Sequence, residues 1–299
     1  MFVLAATAMA SLLAGANVAL PRIPMVAPTE LAPRSDEIRE QISAASRRQD
    51  QDVESATGRL DAVVSAVGAR FGESSIESVQ ASTEAGIALI RDWQRFDLAL
   101  PHIERSLQLS RAVFGTDHRE TAYALQDLAV VRHELSPELF VQWSGPLARE
   151  AIAVRTRVLG ADHLETAGSE RYLASWLYGN WRKQRSRSAR SPMLVEVRRL
   201  ADHALAIIEN AYGVQHPEAI ELRYLQLRVA LITGNFALAE SLAADLLYKF
   251  ESPCDVTGAH PGARQLLAEA LLRQSRVAEA EAVLGGATPE ECAATDASR

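Results

Sequence analysis

Four of the seven histidines, His118, His163, His216 and His260, recur at one place in successive stretches of the chain, at intervals of 45, 53 and 44 residues. Imidazole is the commonest metal ligand, but a metal ion needs every donor about 2 Å away. Equivalent positions in stacked helical units lie about 16–20 Å apart, twice a helix packing distance. The spacing therefore assigns these histidines to packing at turns and predicts no metal site. His102, His133 and His203 fall on helical stretches without matching Cys or carboxylate spacing, and are expected at the surface or in a groove. Gly-x-Ser-x-Gly, His-Glu-x-x-His, phosphate-loop and dinucleotide patterns are all missing, so no nucleophile or cofactor chemistry is indicated. The acid pair Glu290-Glu291 lies in a polar tail and reads as solvated. The chain is expected not to be an enzyme and to carry no cofactor.

Charge and aromatic side chains offer binding rather than catalysis. The 299 residues hold 31 Lys+Arg against 38 Asp+Glu, a net charge of -7 that excludes a general nucleic-acid binder. Against that background Arg182, Lys183, Arg185, Arg187 and Arg190 place five cations in nine residues. Such a run is a solvated loop or helix extension, or a docking patch for an acidic partner or anionic surface. Trp143, Trp176 and Trp181 read as packing residues, with Trp181, beside the basic run, expected to be partly exposed. Cys254 and Cys292 could form one disulfide pinning the C-terminal end if the protein is exported, and would be free thiols in a reducing compartment.

The elements that must position these groups are legible from punctuation. Phe114-Gly115-Thr116-Asp117-His118-Arg119-Glu120-Thr121-Ala122 matches Leu159-Gly160-Ala161-Asp162-His163-Leu164-Glu165-Thr166-Ala167, and a third copy begins Tyr212-Gly213-Val214-Gln215-His216-Pro217-Glu218-Ala219. Weaker marks at Gly72 and Gly258 complete intervals of 43, 45, 53 and 45 residues, the signature of a solenoid. Before each mark runs an apolar stripe: Val53, Ala56, Leu60, Val63 and Val64; Phe96, Ala99, Ile103, Ser106 and Leu107; Val141, Ser144, Ala148, Ala151 and Ile152; Leu194, Val197, Ala201, Ala204 and Leu205. That spacing is one face of an α-helix. A further helix follows each mark, as through Ala122, Leu125, Leu128 and Ala129. Gly115 and Gly160 stand where a helix ends on a left-handed residue, and Asp117 with Glu120, like Asp162 with Glu165, is spaced as a capping box. The 53-residue interval puts the basic run in an insertion between the two helices of its unit.

Composition supports an all-α reading, 48% hydrophobic with 16 Gly and 12 Pro. Residues 2–20 carry no charge and are rich in Ala, Leu, Val and Met, with small residues at Ala14 and Ala16. They read as a signal peptide cleaved after Ala16, with a membrane anchor or a buried helix as alternatives. Residues 21–35 form a Pro-rich linker, 36–286 the helical repeat domain and 287–299 a polar tail. The expected location is periplasmic or secreted, with membrane-anchored and cytoplasmic as alternatives.

The repeat marks resemble tetratricopeptide repeats of the longer kind in kinesin light chains, whose turn runs Leu-Gly-x-Asp-His-Pro-x-Thr-Ala. Gly234-Asn235-Phe236-Ala237-Leu238-Ala239-Glu240 adds a general element of that family. The resemblance covers residues 50 to 285 and implies an α-solenoid, a right-handed superhelix of about five helix-turn-helix repeats, whose concave groove holds a partner protein or peptide. It also implies Leu-x-Asn-Leu-Ala in the groove-lining helix, where the Asn clamps a peptide backbone. This chain has Leu125-Gln126-Asp127-Leu128-Ala129 and Arg171-Tyr172-Leu173-Ala174 there. An ionised Asp127 accepts hydrogen bonds without donating, whereas Tyr172 offers a ring to stack on. Asp127, Tyr172, Trp181, Arg182, Arg185, Arg187 and Arg190 are thus the candidate partner contacts, for a protein or peptide that the basic run would favour if acidic. A ligand-sensing regulatory module and a structural subunit of an envelope assembly are the alternative roles.

Overall fold

A computed structural model describes residues 35–47, 52–183, 187–250 and 262–285. These form twelve α-helices and no strand: α1 (Ser35–Ser46), α2 (Val53–Phe71), α3 (Ile76–Trp93), α4 (Phe96–Phe114), α5 (Arg119–Leu135), α6 (Ser144–Leu159), α7 (Leu164–Lys183), α8 (Arg187–Tyr212), α9 (Pro217–Thr233), α10 (Phe236–Phe250), α11 (Gly262–Arg273) and α12 (Val277–Gly285). Consecutive helices pack as antiparallel pairs, α1/α2 through α11/α12. The described residues thus hold six pairs, one more than the repeat marks alone indicate, because α1 packs on α2 and α3 ahead of the first glycine mark. The segments 1–20 and 21–34, the tail after Gly285 and both Cys254 and Cys292 lie outside the described residues. No helix among those described is long and apolar enough to cross a membrane.

Four apolar clusters run through the array in place of one central core, as expected when each unit packs on its neighbours. The stripes read from sequence supply them: Ala56, Leu60, Ala99, Ile103, Ala148, Ala151, Val197, Ala201 and Ala204 are all at most 1% exposed. Small residues let helix axes approach. At Gly86 of α3 an added Cβ would lie 2.6 Å from Ile103 Cδ1 of α4. Val141 departs from the stripe: it is 58% exposed. It precedes α6, in a connector holding a 3-10 turn over Pro137–Leu139, and Phe140 of that connector fills the core position instead, at 1% exposed.

The turn between pairs is one device used repeatedly. Gly72, Gly115 and Gly160 end α2, α4 and α6 with φ of 101°, 86° and 102° and ψ of 144°, 178° and 157°. That is not the left-handed helical conformation expected of a helix-ending glycine but an extended one with positive φ, open to glycine almost alone. It turns the glycine carbonyl toward the next helix, where Ser78, Thr121 and Thr166 donate hydroxyl hydrogen bonds to it at 2.7, 2.6 and 3.0 Å. Ser75 caps α3, whereas α5, α7 and α9 are capped by the histidine, which in α5 and α7 is one residue beyond the expected aspartate. Nδ1 of His118, His163 and His216 accepts the backbone N–H of Glu120, Glu165 and Glu218 at 3.2, 3.2 and 3.4 Å. Rings stack behind two of them, Phe114 on His118 at 4.7 Å and Tyr212 on His216 at 4.6 Å. Because the helix starts one residue later than the capping-box spacing implies, Asp117 is free to pair with Arg157 and Asp162 with His203. The histidine marks are structural, as the spacing argument holds; His260 lies outside the described residues.

The odd-numbered helices form one layer and the even-numbered the other. Contacts across pairs occur between α1 and α3 and between α9 and α11, and the closer-spaced layer of a solenoid lies on the inside of its curvature. Arg–Glu pairs link helices within both layers, Arg111–Glu150 and Arg149–Glu196 on the even side and Arg39–Glu84 and Arg119–Glu165 on the odd, so it is the backbone approach that separates the two layers. The odd helices therefore carry the inner face.

Candidate functional site

Charged side chains tie α1 to α3, and α5 to α7 and on to α9. Arg39 of α1 donates to Glu84 of α3 at 3.0 Å. Arg119 of α5 bonds Glu165 of α7 and donates to the Tyr123 hydroxyl at 3.0 Å. Arg155 rises from α6 between these helices, only 5% exposed, donating to Ser169 Oγ and to the Glu165 carbonyl (3.3 Å), with its guanidinium 4.9 Å from the Tyr123 ring centroid. Burial lowers its affinity for the proton, and Glu165, Tyr123 and Asp127 oppose that. Arg171 of α7, 4% exposed, reaches Glu218 and Glu221 of α9, both at 3.0 Å. The first-turn glutamates Glu165 and Glu218 thus bond the arginine of the preceding odd helix rather than their own cap. His203 of α8 contacts Glu170 at 2.6 Å and Asp162 at 3.3 Å. The Glu170 bond raises its pKa.

Among the described residues Asp127 has neither a hydrogen bond nor an ion pair. It is half-buried on α5. Desolvation pushes its carboxyl up to about 7, Arg155 pulling down and Glu120 and Glu84 adding to the rise. Tyr172, at the corresponding place on α7, is half-buried; the Arg171 guanidinium covers its ring at 4.5 Å and Trp176 packs beside it at 5.8 Å. Burial raises its hydroxyl pKa.

Beyond α7 the inner face changes character. Tyr178 of α7, Arg228, Leu231 and Ile232 of α9, and Leu266, Glu269 and Arg273 of α11 line a cleft of about 200 Å³. Arg273 pairs with Glu269 at 3.2 Å, whereas Arg228 is exposed. Trp181 stacks on Tyr178 at 5.9 Å and is half-buried; Trp143, 39% exposed under the Arg132 guanidinium, is the more open tryptophan, and Trp176 is buried. Arg182 and Lys183 are exposed in the last turn of α7. Arg185 lies outside the described residues, and Arg187 and Arg190 are described by their helical backbone alone. The insertion thus lengthens α8 to 26 residues.

His102 departs from expectation. It is 7% exposed on α4, its Nε2 3.4 Å from Asp61 of α2, and burial lowers its pKa. His133 is half-buried, stacked on Trp176 at 4.4 Å, and burial holds it at about 4. Among the described residues no three His, Cys, Asp or Glu side chains are grouped to hold a metal ion. The cleft was missed in the sequence, yet a signal exists: Arg228 and Ile232 on α9 share the one-turn spacing of Glu269 and Arg273 on α11.

Comparison with known proteins gives the helices their type. The tetratricopeptide repeat model matches residues 146–165, from the start of α6 into α7. A crystal structure from Podosopora anserina, described as a kinesin light chain with nearly identical TPR-like repeats, superposes with a TM-score of 0.54, at 17% identity over 74% of this chain and 100% of that one. The chain has a tetratricopeptide repeat at residues 146–165 and shares the fold of kinesin light chain-like repeat arrays. A variant of the same Podosopora anserina protein superposes equally well, and BtubC (BKLC) from P. vanneervenii aligns with a TM-score of 0.54, at 12% identity over 83% of this chain and 88% of that one. No curated protein matches in sequence. Tetratricopeptide arrays are in general non-catalytic scaffolds for protein–protein interaction.

Proposed function

We propose that this tetratricopeptide array holds a partner protein, or an extended segment of one, against the inner face of its odd helices, without catalysing a reaction. The observation that carries this reading is the cleft between α7, α9 and α11, where three successive odd helices leave Tyr178, Leu231, Ile232 and Leu266 partly open to solvent. The open surface of this cleft is mostly polar, with small apolar patches between convergent charges, a form that suits recognition of a charged segment. Arg228 and Arg273 at its rim, with Arg182 near Tyr178, outnumber Glu269 and favour an acidic segment. Photo-crosslinking in the native cell tests it: a crosslinker at Ile232 captures a partner, and one at Arg199, exposed on α8, does not. Equal capture at both positions would remove the inner-face assignment.

We also read residues 2–20 as an export segment from their uncharged, Ala- and Leu-rich composition. N-terminal sequencing of the mature chain then gives Asn17 as the first residue; a chain retaining Met1 refutes cleavage.

A further inference from the structure

The two edges of the array present different chemistry. Helices α2, α4, α6 and α8 end on the edge of the glycine turns, so the connections inside the pairs gather on the opposite edge. Between α3 and α4 the charges there are answered: Arg91 bonds Asp92 and Arg95 bonds Asp97. At the next two connections the edge is both apolar and cationic. Leu135 at the end of α5, Val141 and Trp143 of the connector and Val195 of α8 (69%) are exposed. Arg182 and Lys183 end α7 exposed and, among the described residues, without an ion-pair partner. The two connections touch. His133 of α5 stacks on Trp176 of α7 at 4.4 Å, meets Phe140 of the connector at 6.2 Å and feels the Lys183 charge.

Helix α8 also reaches further than its neighbour. Val197 matches Ser144, the first residue of α6, yet α8 begins at Arg187, so its first turns project about 10–15 Å beyond the start of α6. Arg187 and Arg190 lie in that projecting first turn. The exposed acids of the connector side, Glu134 and Glu138, are outnumbered by these cations, and Glu196 is held by Arg149. The glycine-turn edge exposes Ile76, Tyr212 and Val214 as well, but no run of cations adjoins them in the sequence.

We propose that this edge, from Leu135, Val141 and Trp143 to Arg182, Lys183 and Val195, docks the array on an anionic lipid surface. Exposed tryptophan and aliphatic side chains beside unpaired cations match such a surface: the ring and methyl groups enter the headgroup boundary while the cations meet lipid phosphates. The chain as a whole carries -7 and is repelled by an anionic bilayer, so attraction is confined to the edge where the sign reverses. Docked in this way the array stands on its edge, and the inner face stays open to a partner.

Sedimentation of the full chain with lipid vesicles tests it. Vesicles of phosphatidylcholine with about one-third phosphatidylglycerol are expected to bind the wild type, and pure phosphatidylcholine to bind it at least about tenfold more weakly. Each Lys or Arg near an anionic surface is worth about fivefold, so Arg182→Gln with Lys183→Gln lowers the partition about 25-fold. Val141→Ser with Val195→Ser lowers it about tenfold. Tyr212→Ser with Val214→Ser, on the glycine-turn edge, leaves it unchanged. Tryptophan emission shifts to the blue on binding, and Trp143→Phe removes most of that shift. Equal binding to the two kinds of vesicle, which residues 2–20 acting alone as an anchor would give, overturns the docking edge. Full binding by either edge variant, or a blue shift that survives Trp143→Phe, does the same. A wild type that dimerises without vesicles, with edge variants that stay monomeric and no vesicle binding by either, would assign the edge to a second copy of the chain instead.

Discussion

The inner face has two halves that solve the same packing problem with opposite chemistry. From α1 to α7 Arg39–Glu84 joins α1 to α3, Arg119–Glu165 joins α5 to α7, and the buried Arg155 donates to Ser169 and the Glu165 carbonyl, so the cations of this half are met by groups of the chain itself. From α7 to α11 the same layer opens into a mostly polar cleft, with Leu231, Ile232 and Leu266 set between Arg228, Glu269 and Arg273. The difference teaches where a partner can gain. In the first half, ion pairs already replace much of the water that a ligand would displace. In the second half, the exposed Arg228 and Ile232 are covered only when something enters.

The largest effect that would break this comparison is Arg155→Ala. It removes a buried guanidinium from Ser169, the Glu165 carbonyl and the Tyr123 ring, and should cost about 3 kcal/mol in urea unfolding. Arg273→Ala, at the exposed rim of the cleft, should stay within about 0.5 kcal/mol. Equal costs would mean that the first half is no more dependent on internal charge than the second. Next comes the glycine turn. Gly160→Ala, at φ 102° and ψ 157°, should cost about 2 kcal/mol. Gly179→Ala, in α7 with open space at its Cβ, should stabilise by about 0.5–1 kcal/mol. Smaller again is His163→Ala, which removes the cap of α7 and should lower stability by about 1 kcal/mol.

The smallest effects are pH-dependent, and they run in opposite directions for two histidines of the central pairs. His203 has a raised pKa from its bond to Glu170, so its contribution is fully present below the unfolded value of 6.5 and is lost as pH rises through the higher folded value. The drop in unfolding midpoint on His203→Gln should therefore be greater at pH 6 than at pH 8. His133, held at about 4 by burial, contributes above pH 6.5 and loses that contribution as the pH falls toward 4. His133→Gln should thus flatten the acid side of the midpoint-against-pH curve. An unchanged acid limb would show that the ring on Trp176 is not desolvated as described.

Much of the fold can be read in the chain because the repeats report the same local chemistry several times. Ala148, Ala151 and Val197 fall on the buried stripe as spaced. The turn shows where reading stops. The Gly-x-Asp-His spacing identifies a helix start but does not tell aspartate from histidine as the cap, because both side chains can accept a backbone N–H two residues on. The rings of Phe114 and Tyr212, which favour the histidine, are set by packing across the turn. Val141 fails for a similar reason: periodicity continues through a connector whose 3-10 turn hands the core position to Phe140.

The candidate site divides the same way. Asp127 and Tyr172 were visible as replacements within a repeated helix, and Arg182 as part of a charge run. Tyr178, Arg228, Leu266 and Arg273 were not, since they meet only when α7, α9 and α11 are stacked.

By itself the sequence determined the helical period, the number of repeat marks, the glycine turns and the polarity of each helix face, all of which depend on residues within one or two turns of each other. Only the tertiary structure decided which charges are answered and which are not. Glu165 pairs with Arg119 and Glu218 with Arg171 across successive units, while Asp127, on an equivalent helix face, finds no partner. That outcome depends on distances between side chains some 50 residues apart, where about an ångström separates a bonded carboxylate from an unpaired one.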